Sequence, residues 1–344
     1  AGHGTRVASI AAGGAEPFPG IAPGAELIVV RADRLPGGRY DEADVADALR
    51  FAFAAADLLG RPCVTNLSLG GQAGAHDGSS WLEQAIDALA WEGPGGRAVV
   101  VSAGNDAEAA IHARFPSSPG AAAAASIVVP TNGGFGPGAP AVAIVDFWSA
   151  AGSSFALEVT LLDGSVAVVD GDQPALEVPL GGGAALRLQM TEHADDETRG
   201  VEAIAAWTGG DDGAIPPGRY PLRVRGTAPV DAWLSAEADT GVFPFRLEGG
   251  VRDDVTLSIP ATARGALAVG SVTVRASWTN HLGVLLEDSS AVPGLASRFS
   301  ARGPTADGRF KPDLLAPGEW IVAAQSVAAE LPLGPGGGVA SAID

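Results

Sequence analysis

Hydrophobic and polar positions follow two different rhythms along these 344 residues, and the change of rhythm divides the chain. Residues 4–12, after a Gly-flanked histidine, are small and suit a short helix. The run "ELIVVR" (26–31) is continuously apolar, the pattern of a parallel strand covered on both faces. "DEADVADALRFAFAAADLLG" (41–60) carries an apolar stripe through Val45, Leu49, Ala52, Ala56 and Leu59 and stops at Gly60, which predicts a helix. A strand is expected over "CVTNLSL" (63–69) and a helix over "WLEQAIDALAW", opened by a capping box of Ser80 and Glu83. "AVVVSAG" (98–104) reads as another buried strand. Strand, helix, strand, helix, strand predicts an α/β fold with a doubly wound parallel sheet.

From about residue 107 to 255 the helical period disappears. Short alternating runs take its place, among them "FALEVTLLDG", "SVAVVDG", "ALRLQM", "EAIAAWTGG" and "GRYPLRVRG", with Gly, Asp and Pro between them. That pattern predicts a β-sandwich. Near 256 the α/β rhythm resumes with "TLSIPATARGALAVGSVTV". The expected organisation is an α/β domain made of 1–106 and 256–344, interrupted by an all-β, jelly-roll-like module at 107–255. The Gly/Pro-rich patches at 133–139 and 334–338 read as loops or spacers.

Composition narrows the function classes. At 47% apolar residues the chain can bury a sizeable core. Its formal net charge of −19 opposes binding to nucleic acid or to anionic membrane surfaces. The nearest thing to a membrane span, "AAAAASIVV" (121–129), is too short to cross a bilayer, and no signal peptide is visible. Cys63 is the single cysteine, so an internal disulfide framework and a cysteine-based zinc site are excluded, and it reads as a small buried hydrophobe. His76, His112, His193 and His281 show no metal-ligand spacing. No metal or other cofactor is required by any motif. The acidic stretch 191–200, with Asp195, Asp196 and Glu197, could hold structural calcium, but it matches no known loop type and reads better as a solvated loop.

Three short stretches can carry chemistry. His3, in Gly-His-Gly-Thr at the start of a helix, has the close backbone access that a general base needs, though a lone histidine is more often a capping or surface residue. "NLSLGG" (66–71) is a strand that leaves its sheet through glycines and can offer unpaired backbone groups to an extended peptide, or simply end a strand. In "VVVSAGND" (99–106), Asn105 follows a buried strand and an Ala-Gly turn. There its amide can reach the carboxyl edge of the sheet and donate to an oxyanion, or serve an Asx-turn.

The succession "GHGTRVASIAAG", "GIAPGAELIVVRA", "NLSLGG", "VVVSAGN", "PATARGALAVGSV" and "FSARGPTADGRFKPDLLAPG" resembles the subtilisin-like serine proteases over roughly 1–106 and 256–320. The resemblance implies that His3 is the general base and Asn105 the oxyanion donor. It makes Ser68, Leu69 and Gly70 one wall of the substrate groove, with Ala103 and Gly104 opposite. Arg6 departs from a histidine frequent in the family. "GNDAEAAIHARFPSSPG" and "AIVDFWSAAGSSFALEVTLLDG" are similar to subtilases of the bacterial spore-germination protease type, which carry a jelly-roll between the oxyanion asparagine and the later strands. A protein or peptide substrate and an extracellular or cell-envelope location are implied by the same resemblance; oligomeric state is left open.

A Ser-His-Asp hydrolase also needs an orienting carboxylate and a nucleophile. In the subtilisin order the aspartate precedes the histidine, and only two residues precede His3. No Gly-Thr-Ser triplet occurs. None of Ser79, Ser80, Ser300 or Ser326 is assigned as nucleophile. The chain is therefore expected to be a piece of a serine endopeptidase, inactive alone. Two other readings stay open: an inert subtilase homologue with a regulatory role, and a sandwich module that binds glycan, calcium or a partner protein.

Overall fold

The computed structural model describes residues 2–32, 40–117, 123–131, 141–193, 200–237, 245–279 and 283–326. Helix α1 (His3–Ala12) begins at the histidine, because Gly2 before it takes a left-handed φ of 105° that favours glycine. Helix α2 (Glu42–Leu58) starts where the Asp41 carboxylate accepts the Ala43 N–H. Its buried stripe is Val45, Leu49, Phe53 and the alanines beside them; Leu59, expected in that stripe, lies past the helix end and is 62% exposed.

Strand β1 (Cys63–Leu67) stops two residues short of the expected end, leaving Ser68 and Leu69 outside the ladder. Helix α3 (Trp81–Ile86) has the expected capping box and widens into a π-helical turn over Asp87–Trp91. Glu83 is fully buried, and burial pushes its carboxyl up to about 7. Strand β2 (Arg97–Ser102) pairs parallel to β1, Leu67 opposite Val101, so both strands end at the same edge.

The next twelve strands are antiparallel. In chain order they are β3 (His112–Phe115), β4 (Ala123–Val129), β5 (Val142–Ser149), β6 (Phe155–Thr160), β7 (Val166–Val169) and β8 (Ala175–Gly181). Then come β9 (Ala184–Glu192), β10 (Val201–Thr208), β11 (Gly218–Gly226), β12 (Val230–Glu237), β13 (Arg246–Glu248) and β14 (Val251–Arg252). They form a seven-stranded sheet, β14-β3-β12-β5-β10-β9-β8, and a five-stranded sheet, β13-β4-β11-β6-β7. One core fills the space between them, with Trp207, Tyr220, Phe147 and Phe245 fully buried. Alternation makes this possible: in β6 every second side chain, Phe155, Leu157 and Val159, turns inward.

The chain then returns to the parallel sheet. Strand β15 (Ala266–Thr273) lies between β2 and β18 (Leu314–Glu319), giving the order β1-β2-β15-β18. A small hairpin, β16 (Ser277–Thr279) with β17 (Leu285–Glu287), projects between them in sequence. α2 and α3 cover this sheet through Val45, Leu49, Phe53, Leu82 and Ile86, packed on Leu67, Val99, Val101 and Ala268.

Residues 26–31 differ from expectation. They pair with no strand among the described residues, and Leu27 and Val29 are 54% and 81% exposed. An apolar run sets a preference for extended backbone, but a strand exists only where a ladder partner stands beside it. Cys63 is half-buried against the α2 side of the core rather than fully enclosed, and burial raises its thiol above the ordinary range. Asp195, Asp196, Glu197, His281 and the two Gly/Pro patches lie outside the described residues. Among the described residues no group of three or more His, Cys, Asp or Glu is arranged to hold a metal, and no helix is long and apolar enough to cross a membrane.

Candidate functional site

β1 and β2 leave the sheet side by side, and their exits define a trough. On one rim, Ser68, Leu69 and Gly70 run extended until Gly71 exchanges two backbone hydrogen bonds with Ile259, at 3.0 and 2.8 Å. Between β1 and that bridge the rim makes no ladder with another strand among the described residues. The His3 ring reaches this rim and donates from Nε2 to the Ser68 carbonyl at 3.1 Å. A carbonyl can only accept, so the proton sits on Nε2. In this arrangement Nε2 has no lone pair to take a proton; the ring must leave Ser68 before that nitrogen can act as a base. His3 is exposed, and no carboxylate contacts it among the described residues.

On the other rim, Ala103 is held by its N–H to Val269 (2.9 Å) and by its carbonyl to the Ser258 N–H (2.8 Å). Gly104 has φ 108°, a left-handed value, and its carbonyl accepts from Ala301 at 3.0 Å. Asn105 follows, exposed, its carboxamide without a partner among the described residues. Its neighbour Asp106 accepts from the Gln72 amide at 2.8 Å.

Ser258 joins the two rims. A Cβ on Gly70 would lie 2.6 Å from its hydroxyl oxygen, and one on Gly104 would lie 3.0 Å away. The hydroxyl donates to the Ala103 carbonyl at 3.3 Å and is itself buried. A small polar side chain thus stands between Gly70 and Gly104. Tyr40 lies against the Gly70 backbone, its phenol pushed up by burial.

The structure therefore brings His3, Ser68, Leu69 and Gly70 onto one rim and Ala103, Gly104 and Asn105 onto the other. Ser258, Tyr40, Gln72 and Asp106 were missed by sequence reasoning. "TLSIP", directly after the all-β segment, was the signal available for Ser258; nothing local marked the others. Ser80 and Ser300 are engaged elsewhere, as the helix cap of Glu83 and as acceptor for the Ser271 N–H.

Behind the first rim the chain meets the antiparallel sheets. The Asp146 carboxylate on β5 accepts the Gly74 N–H at 2.8 Å. Burial, and then the nearby Glu202, push its carboxyl up to about 7. The His76 ring stacks on Trp233 of β12 at 4.2 Å, and His112 stacks beside the same indole at 5.0 Å. Both His76 nitrogens face carbonyls, of Leu257 and Gln72, yet complete burial holds its pKa down to about 4.

A sequence profile described as the subtilase family matches residues 1–149 and 201–335. Among solved structures, the Clostridium perfringens CspB protease is similar, at 25% identity and a TM-score of 0.73. The similarity covers 96% of this chain and 64% of that one, so these residues span less than two thirds of the relative's length.

Proposed function

Since this chain belongs to the subtilase family, we propose that it carries the substrate trough, the histidine base and the oxyanion donor of a serine endopeptidase. An extended peptide lies along Ser68, Leu69 and Gly70, its backbone completing the hydrogen bonds this rim leaves unmade. Ala103 and Gly104 form the facing wall. In the full reaction a serine hydroxyl gives its proton to the His3 imidazole and attacks the scissile carbonyl. The Asn105 amide meets the resulting oxyanion, and the leaving amine takes the proton from the imidazole. The similar Clostridium perfringens protein is a protease, and this reading extends that activity to the present trough.

The observation that carries the reading is a continuous line of contact. His3 touches the Ser68 carbonyl, and Ser258 fills the space that a Cβ on Gly70 or on Gly104, the residue before Asn105, would need. Ser258 standing between Gly70 and Gly104 favours a small side chain at the residue preceding the cleaved bond. One or two extra methylenes there cost roughly 1–3 kcal/mol in discrimination.

No residue of this sequence is assigned as nucleophile, because no Gly-Thr-Ser triplet occurs, and no carboxylate orients His3 among the described residues. Turnover by these 344 residues alone is accordingly expected to be absent, while peptide binding persists. The test is a pair of measurements on the purified chain. Fluorogenic peptides should show no hydrolysis; turnover abolished by a fluorophosphonate would overturn that half. An Ala-containing peptide should shift the NMR signals of Gly70 and the Asn105 carboxamide, and Gly70→Ala should weaken it by at least about tenfold, since the new Cβ meets Ser258. Peptides that leave those signals still would remove the trough reading.

A further inference from the structure

We propose that Gln72 and Asp106 form a positioning pair that fixes the backbone carrying the Asn105 carboxamide by tying one rim of the trough to the other. The proposal rests on the trough reading above for its functional consequence, though not for its geometry. Gln72 lies two residues beyond Gly70 and is 4% exposed. Its Nε2 donates to Asp106 Oδ2 at 2.8 Å, and Asp106 is the residue after Asn105.

The Asn105 segment is anchored through its backbone on either side of the tip. The Gly104 carbonyl accepts from Ala301 at 3.0 Å, and the Ala107 N–H donates to Phe299 at 3.1 Å. Both anchors come from the 299–301 segment. Among the described residues, Gln72 is the one side chain that reaches the Asn105–Asp106 tip from the opposite rim. The Asn105 carboxamide has no partner of its own there, so the backbone of 104–106 sets where its Cα–Cβ stem stands, and the side-chain torsions are left to the ligand it meets. An oxyanion donor gains from a stem already in place, and a displacement near 1 Å can cost on the order of 10²-fold in rate.

The chemistry of Gln72 supports a purpose beyond filling space. Its Oε1 is buried without a partner among the described residues, an arrangement that burial penalises. An apolar side chain of similar volume would carry no such penalty. What an apolar side chain cannot supply is a donor to Asp106. The carboxylate also sets the amide's orientation, since the flipped amide would turn Oε1 against Oδ2. The Gln72 backbone is held in turn through its neighbour Gly71, which is bridged to Ile259.

A substitution cycle on the whole chain tests the pair. Gln72→Glu sets two carboxylates against each other; Asp106→Asn keeps an amide contact; Gln72→Glu/Asp106→Asn restores a carboxylate–amide bond with its polarity reversed. The readout is hydrogen–deuterium exchange over 70–76 and 103–109, normalised for the intrinsic rate, with β5 and β10 as controls for folding. At pH 7.5 Gln72→Glu should exchange about tenfold faster or more in both segments. The double variant should return to within about twofold of the parent, and the single variant should recover near pH 5, where one proton bridges the carboxyls. If Gln72→Glu disturbs β5 and β10, Asp106→Ala replaces it and must loosen 103–109 while leaving those strands protected. Unchanged exchange at 103–109, or a double variant as loose as the single one, overturns the pair. In a parallel arm, the peptide-induced shift of the Asn105 carboxamide should be lost in Gln72→Glu and regained in the double variant. A parent chain that shows no such shift removes the trough reading, while the exchange cycle still decides whether the pair exists.

Discussion

Trp207, Tyr220 and Phe245 lie fully buried between the two antiparallel sheets, whereas on the parallel sheet the edge strands leave Val64 70% and Leu315 48% exposed. In the run 26–31 every residue is exposed. The contrast follows from how each kind of sheet is covered. A sandwich closes on itself, each sheet hiding the other's inner face. A parallel sheet depends on helices on its faces and on neighbours at its edges. The residues with chemical potential, His3 and Asn105, belong to the region that is covered less completely and sit where its strands end. Among the described residues the sandwich contributes none to the trough, but it grips the loop behind the Ser68–Gly70 rim through Trp233 and Asp146.

The largest test of this division removes the grip. Trp233 is 1% exposed, lies between the His76 and His112 rings, and donates to the Val255 carbonyl at 2.8 Å. Trp233→Ala leaves a cavity where the sandwich meets the rim loop at His76 and the returning chain at Val255. A loss of about 3–5 kcal/mol is expected by urea denaturation. A loss below about 1 kcal/mol would mean that the two regions fold without reference to each other.

Asp146 offers a subtler break at the same seam. Its carboxyl, raised to about 7 by burial and by Glu202, stays protonated in the folded chain across a range where the unfolded chain has already ionised. The folded state therefore binds more protons, and this group's contribution to stability falls as pH rises from about 4 to about 7, then levels off. His76, lowered to about 4 by burial, acts in the opposite sense: its contribution is lost as pH falls from about 6.5 towards 4. Asp146→Asn keeps an acceptor for the Gly74 N–H and removes only the carboxyl's slope. The variant should match the parent near pH 4 and exceed it at pH 8, by at most roughly 2–4 kcal/mol. Equal stability at both pH values would show that Asp146 is ionised and solvated in the folded chain.

The sandwich was legible in the sequence because its signal is local. In β6 and β10, inward residues alternate with outward ones within a single strand, and each turn announces itself. α2 was legible for a similar reason, with Asp41 and a stripe from Val45 to Ala56 marking its start and its face. "ELIVVR" was misread because continuous apolarity states a preference and names no partner. Of the trough, His3, the Ser68–Gly70 exit and Asn105 could be named from short motifs. Ser258, Gln72 and Asp106 could not, since each matters only through a residue that the fold brings to it. A glutamine in "GGQAG" carries no mark of the aspartate it meets.

The smallest expected effect gives the sharpest comparison, because one chemical change is made in both regions. Val64→Thr alters a side chain on the open edge of β1, where water can solvate the new hydroxyl, and should change stability by no more than about 0.5 kcal/mol. Val145→Thr makes the same change on β5, where Val145 is fully buried and its strand is paired on both sides by β12 and β10. A hydroxyl there loses water without gaining an assured partner, which costs about 1–3 kcal/mol. The ratio of the two losses, from parallel urea titrations, measures the difference in cover without reference to any change in side-chain shape. Should Val64→Thr cost as much as Val145→Thr, the β1 edge must be buried in solution. Dilution then separates the cases, since a cost that fades at low protein concentration would trace the cover to a second molecule.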